Sequence, residues 1–147
     1  MTDNVNHPRH YESDSGVECI EVASPLPYAV GNAVKYVWRA PYKGRYAEDL
    51  RKAQWFLNRY IEECAGSVER SPAYELVMHD LNVKRICERP GDDPLAAWRE
   101  KVATVARFLH RSQDDREEFF HRLSALDVEG MLHAVDNLIY LKSVMNQ

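Results

Sequence analysis

The run YAVGNAVKYVWRAPYKGRYAEDLRKAQWFLNRYIEEC, residues 28–64, decides how this chain is read. Pro25 and Pro27 lead into a helix from about Tyr28 to Arg39, and Pro41 stops it, because an interior proline lacks the N–H that a helix needs. Val30, Ala33, Val34, Val37 and Trp38 form its apolar side. Gly31 costs such a helix roughly 1 kcal/mol relative to alanine, so a close approach by backbone or ligand is expected there. After the loop APYKGRY, a second helix spans about Ala47 to Cys64. Its stripe is Leu50, Ala53, Leu57, Tyr60 or Ile61, and Cys64. Glu48 and Asp49 fall in its first turn, where carboxylates complement the helix dipole.

The other face of the first helix is unlike a core. Asn32, Lys35, Tyr36 and Arg39 recur at helical spacing and gather an amide, a phenol and two cations on one surface. Arg39 can hold phosphate oxygens through two parallel N–H bonds, and Lys35 adds a compact charge one turn away. Asn32 suits a base edge or a ribose hydroxyl, and Tyr36, Tyr11 or Trp38 suits stacking on a base. Glu48 and Asp49 can hold a divalent ion such as Mg2+ through water. Phosphoryl transfer needs mainly positioning and charge stabilisation, so Lys35, Arg39 and a metal would be a minimal set. Each residue also has a plainer reading. Lys35 and Arg39 fit a solvated helix face, Glu48 and Asp49 a helix start, and Trp38, Trp55 and Phe56 a core or subunit interface. Because Trp55 and Phe56 flank the stripe, their helix is apolar on more than one side, which predicts a homo-oligomer.

Outward from this run, residues 1–23 form a polar arm with the cluster His7-Pro8-Arg9-His10-Tyr11. Pro8 disfavours helix at His7. His7 and His10 can donate to phosphate, more strongly near or below about pH 6.5, or simply fix the arm. Val17 to Val22 reads as a short strand or one helical turn. On the other side, Gly66 ends the second helix and a linker runs to Ser71. Further helices begin at Ser71-Pro72, at Asp93-Pro94, around Asp114 to Leu126 and from Val128 to Met145, with Asp127 as a cap. The acidic group Asp114, Asp115, Glu117 and Glu118 reads as a helix start. The expected fold is all-α, a compact helical domain of five or six helices with a polar N-terminal arm. The division expected is a signature domain over residues 1–65 and a helical extension over 66–147, packing on it or forming the oligomer interface.

At 147 residues the chain can bury a core without disulfide or metal staples. Its net charge of -4 argues against a duplex-binding surface, which rests on Lys and Arg. No apolar run approaches a membrane span, and the start MTDNVNHPRHY is too polar for a signal peptide. Cys19, Cys64 and Cys87 form no CxxC pair, as expected of reduced thiols in a cytoplasm. Cys19 reads as a small buried hydrophobe. There is no GxxxxGK[ST] loop and no GxGxxG, and the six glycines are isolated, so a P-loop kinase is excluded.

Val5-Asn6-His7-Pro8 with His10-Tyr11, Glu18-Cys19-Ile20-Glu21, Gly31 to Arg39, Lys43, and Glu48-Asp49-Leu50 with Lys52-Ala53, Trp55 and Leu57 stand in a telling order. Over roughly residues 5–63 the chain resembles a phage-encoded SaV-like family of unknown function, often labelled nucleotide kinase. The resemblance implies a phage origin, a role in the host cytoplasm and action on deoxynucleoside monophosphates. The ligand-binding set expected is His7, His10, Tyr11, Asn32, Lys35, Tyr36, Arg39 and Lys43, with Glu48 and Asp49 for a metal. A non-catalytic alternative is a sponge that sequesters a nucleotide immune signal of the host. A third alternative, an all-α pyrophosphohydrolase, needs paired acidic motifs, and here the only ExxE is Glu18 to Glu21.

Overall fold

The computed structural model describes residues 15–42, 44–64 and 94–145. Six α-helices occupy them: α1 (Cys19–Ala23), α2 (Tyr28–Arg39), α3 (Tyr46–Cys64), α4 (Pro94–Arg111), α5 (Glu117–Ser124) and α6 (Val128–Met145). The all-α expectation is met. The helices expected from Ser71 and the linker before it lie outside the described residues. Packing runs from α1 to α2, α3, α6, α5 and α4 and returns to α1, so the helices close a ring. All six contribute to one apolar core, with Trp98, Phe119, Phe120, Leu50, Leu57 and Met131 among its fully buried side chains. Burying a side chain of this kind is worth about 1.5–3 kcal/mol, which makes the shared core the main source of cohesion.

Local chemistry sets where each helix begins and ends. Segment 17–22 resolves as a helical turn, started by the Glu18 N–H donating to Glu21 Oε2 at 2.6 Å. Its carbonyl end is closed from afar. The Trp98 indole Nε1–H donates to Val22 O at 2.9 Å, and Lys101 lies 3.7 Å from Glu21. Gly31 answers to backbone: a Cβ there would come within 2.9 Å of Ala23 O, so its absence lets α1 pack on α2.

α2 ends where Pro41 was expected to stop it, and residues Ala40–Tyr42 tighten into a 3-10 turn. Proline has no N–H to offer Val37 O, and a distant side chain takes over that acceptor. Arg116 Nη1 donates to Trp38 O at 2.8 Å and to Val37 O at 3.4 Å. The same guanidinium makes a two-point contact with Asp114, Nε to Oδ1 at 2.9 Å and Nη2 to Oδ2 at 2.8 Å. A cation at the carbonyl end of a helix also opposes its dipole favourably. Burial works against charge on both partners, yet their hydrogen bonds and attraction win. Arg116 is held above its ordinary pKa and Asp114 below its own.

This contact shortens α5. The helix expected from Asp114 starts at Glu117, because the Asp114 carboxylate is turned back onto the N–H and guanidinium of Arg116. Gln113 and Leu126 both take positive φ, 56° and 58°, where helices α4 and α5 close. Each closure is followed by an aspartate that accepts a backbone N–H: Asp114 from Arg116, and Asp127 from Gly130. The expected cap at Asp127 is therefore present.

Candidate functional site

α2 and α3 lie side by side in opposite directions. Arg39, ending α2, meets Asp49 near the start of α3, whereas Tyr28, beginning α2, meets Phe56 further along α3. Gly44, at φ +71°, turns the chain between them in a conformation that side chains other than glycine rarely adopt. The outer seam between the two helices holds the candidate site.

Tyr36 is its centre. Lys35 Nζ lies 5.2 Å from the ring centroid, Arg39 Cζ 4.7 Å and Lys52 Nζ 5.4 Å. An aromatic ring attracts cations through its quadrupole, so one phenol helps three positive groups to share a small surface. Phe56 stacks on Tyr36, with centroids 5.9 Å apart and planes 15° apart. Tyr28 and Trp55 meet Phe56 edge-on at 6.2 and 5.1 Å, and they are 80% and 60% exposed. The seam thus runs from accessible aromatics at one end to cations at the other.

Two of its cations stand beside carboxylates. Arg39 Nη2 sits 3.3 Å from Asp49 Oδ1, and Lys52 sits 3.6 Å from Glu48. Lys35 makes no ion pair among the described residues. Among the described residues, three cations stand against two carboxylates here. Asp49 is 1% exposed, and its Oδ2 has no hydrogen-bond partner among the described residues. Arg39 is therefore the counter-charge of a buried carboxylate as well as part of the cationic surface.

Asn32, Lys35, Tyr36 and Arg39 share the face expected of them. Asn32 spends its amide donor on its own helix, Nδ2 to Tyr28 O at 2.8 Å. Glu48 and Asp49 are engaged separately, one exposed and one buried. Among the described residues no group of three His, Cys, Asp or Glu side chains could hold a metal. Trp38 is 2% exposed and lies edge-on to Phe120, so it belongs to the core and not to a stacking surface. Cys19 is buried as expected; burial pushes its thiol up to about 12 against the opposing charge of Lys35. Glu21, in the ExxE, is occupied as a helix cap and partner of Lys101. His7, His10, Tyr11 and Lys43 lie outside the described residues.

Four members of the seam were not singled out as ligand contacts from sequence: Tyr28, Lys52, Trp55 and Phe56. The available signal was the placement of Lys52 and Phe56 one turn apart on α3, beside the core stripe. Only the pairing of the two helices brings them to Tyr36. Next to the seam, a depression of about 730 Å³ opens between the 3-10 turn, the start of α3 and Lys142, and Arg45 and Glu48 line it.

Fold and seam together define an all-α protein with a cation–aromatic surface between two antiparallel helices. Residues 5–58 match a family described as a protein of unknown function, DUF3310. That stretch contains every member of the seam and ends inside α3. No curated protein and no solved structure matches the chain. Among the described residues, no helix is long and apolar enough to cross a membrane.

Proposed function

We propose that the α2/α3 seam binds the phosphate of a nucleotide or nucleotide-derived ligand, with a base resting on Tyr28 at the exposed aromatic end. The observation that carries this reading is the clustering of Lys35, Arg39 and Lys52 around Tyr36. Clustered cations repel one another, and an anion placed among them relieves that repulsion while gaining charge-assisted hydrogen bonds. From Tyr28 to Tyr36 is eight residues of helix, roughly 12 Å. The nucleotide-kinase resemblance supports the same ligand class and adds a phage setting in a host cytoplasm. Mg2+ would enter with the phosphates, screened by water-mediated contact with Glu48.

Binding alone requires no more than these groups, so sequestration of a nucleotide signal is the second reading. The geometry that favours it is the occupation of Asp49 by Arg39, which removes one carboxylate from metal or base duty. Incubation with dTMP or dGMP, a triphosphate donor and Mg2+, followed by mass spectrometry, separates the two. A diphosphate product absent from a Lys35→Ala/Lys52→Ala control indicates transfer. Ligand bound and recovered unchanged indicates sequestration. Failure of a broad nucleotide panel to bind removes both.

A further inference from the structure

The face of α3 turned away from the core carries a second feature, which shares Glu48 and Trp55 with the rim of the seam. Glu48, Arg51, Trp55, Asn58, Arg59 and Glu62 fall within an arc of about 100° on this helix, opposite Leu50, Ala53, Leu57 and Tyr60. All six are exposed, and Trp55, at 60%, is a large apolar side chain in the middle of a polar stripe. Glu48 is matched within the chain by Lys52, and Arg59 by Glu63. Arg51 and Glu62 have no ion-pair partner among the described residues, and they stand eleven residues apart, roughly 16 Å along the helix.

We propose that this face is a two-fold interface with a second copy of the chain, α3 against α3 in antiparallel register, with Arg51 of each copy opposite Glu62 of the other. A two-fold contact uses one patch twice, so it needs a surface that complements its own rotated image. Setting Trp55 directly opposite Trp55 fails this requirement. It brings Arg51 against Arg59 and Glu48 against Glu62, like charge on like charge. A shift of one turn satisfies it. With residue 51 opposite 62, residue 55 comes opposite 58, and the two Trp55 side chains lie side by side about 4.5 Å apart along the axis. The opposite shift would set Glu48 against Arg59, whose charges are already matched in the chain, and would leave Arg51 opposite Phe56 with no acidic partner. A buried tryptophan at the centre with arginine pairs around it is the usual distribution of energy in an interface. One helix face is smaller than the roughly 800 Å² per partner of a standard interface, so the dimer is reversible and depends on concentration.

Sedimentation equilibrium of the full chain over about 1–100 µM tests the proposal. The wild-type chain dimerises in that range. Trp55→Ala is monomeric, and Arg51→Glu and Glu62→Arg each weaken the dimer about tenfold or more. All three positions are exposed, so the far-UV circular dichroism of each variant stays that of the wild type. The decisive arm mixes the two charge reversals. In the mixed pair both contacts again join opposite charges, and association returns to the wild-type value. A monomeric wild type, a dimer indifferent to these substitutions, or a mixture no stronger than its components overturns the assignment.

Discussion

Arg39 and Arg116 are built from the same parts and do different work. Each lies close to an aspartate and a tyrosine: Arg39 with Asp49 and Tyr36, Arg116 with Asp114 and Tyr42. Arg116 is buried. Its side chain is 7% exposed, meets both oxygens of Asp114 and donates to two carbonyls at the end of α2. Arg39 meets one oxygen of Asp49 at 3.3 Å, is 19% exposed, and has Lys35 and Lys52 as neighbours on the same ring. A buried charge held by a carboxylate and by two backbone carbonyls positions backbone. Arg39 instead stands beside two further cations around one ring. The contrast separates an arginine that holds backbone in place from one that the proposed function sets against a ligand.

The comparison breaks first on stability. Arg116→Ala strands Asp114 and reopens the carbonyls of Val37 and Trp38, and the expected loss is about 3 kcal/mol in urea unfolding. Ligand affinity of the molecules that remain folded should be unchanged. A loss below about 0.5 kcal/mol would mean that the contact at the end of α2 is not structural.

Acid sharpens the same contrast. Asp114 is held below its ordinary pKa of 3.8, so its contribution is complete above that value and is lost as pH falls through the lowered one. Asp114→Asn should cost about 1–3 kcal/mol at pH 7. The gap from wild type should close as the wild-type carboxyl protonates. Parallel stability curves down to acid pH would contradict the assignment. A smaller gain is expected at the turn before it. Gln113 carries a positive φ in an exposed position, and Gln113→Gly should stabilise the chain by about 0.5–1 kcal/mol in thermal unfolding. No gain would show that the glutamine conformation carries little strain.

Helix boundaries were legible where covalent chemistry or capping fixes them. Pro27 and Pro41 bracket α2, and the last helix, Val128–Met145, begins one residue after Asp127. The start of α5 was not, because Asp114 could as well cap a helix as grip an arginine, and only the tertiary location of Arg116 decides. The seam followed the same rule. Helical spacing placed Asn32, Lys35, Tyr36 and Arg39 on one face, since that is a property of one helix. Spacing names no partner helix, so Lys52, Phe56 and Tyr28 emerged only once α3 lay against α2. Trp38 shows the limit within a single helix: it sits at the border of the apolar arc, and the presence of Phe120 places it inside.

The central claim is that positive charge around Tyr36 binds a phosphorylated nucleotide. Titration calorimetry with a panel of nucleoside monophosphates, comparing wild type with Lys35→Ala/Lys52→Ala, tests it most directly. Both lysines lie on partly exposed faces, and Arg39 keeps its pairing with Asp49 in the variant. The account predicts saturable binding by the wild type, an affinity at least about tenfold weaker in the variant, and stability within about 0.5 kcal/mol of the wild type. Equal affinity in the two proteins, or no binding by either, would contradict it.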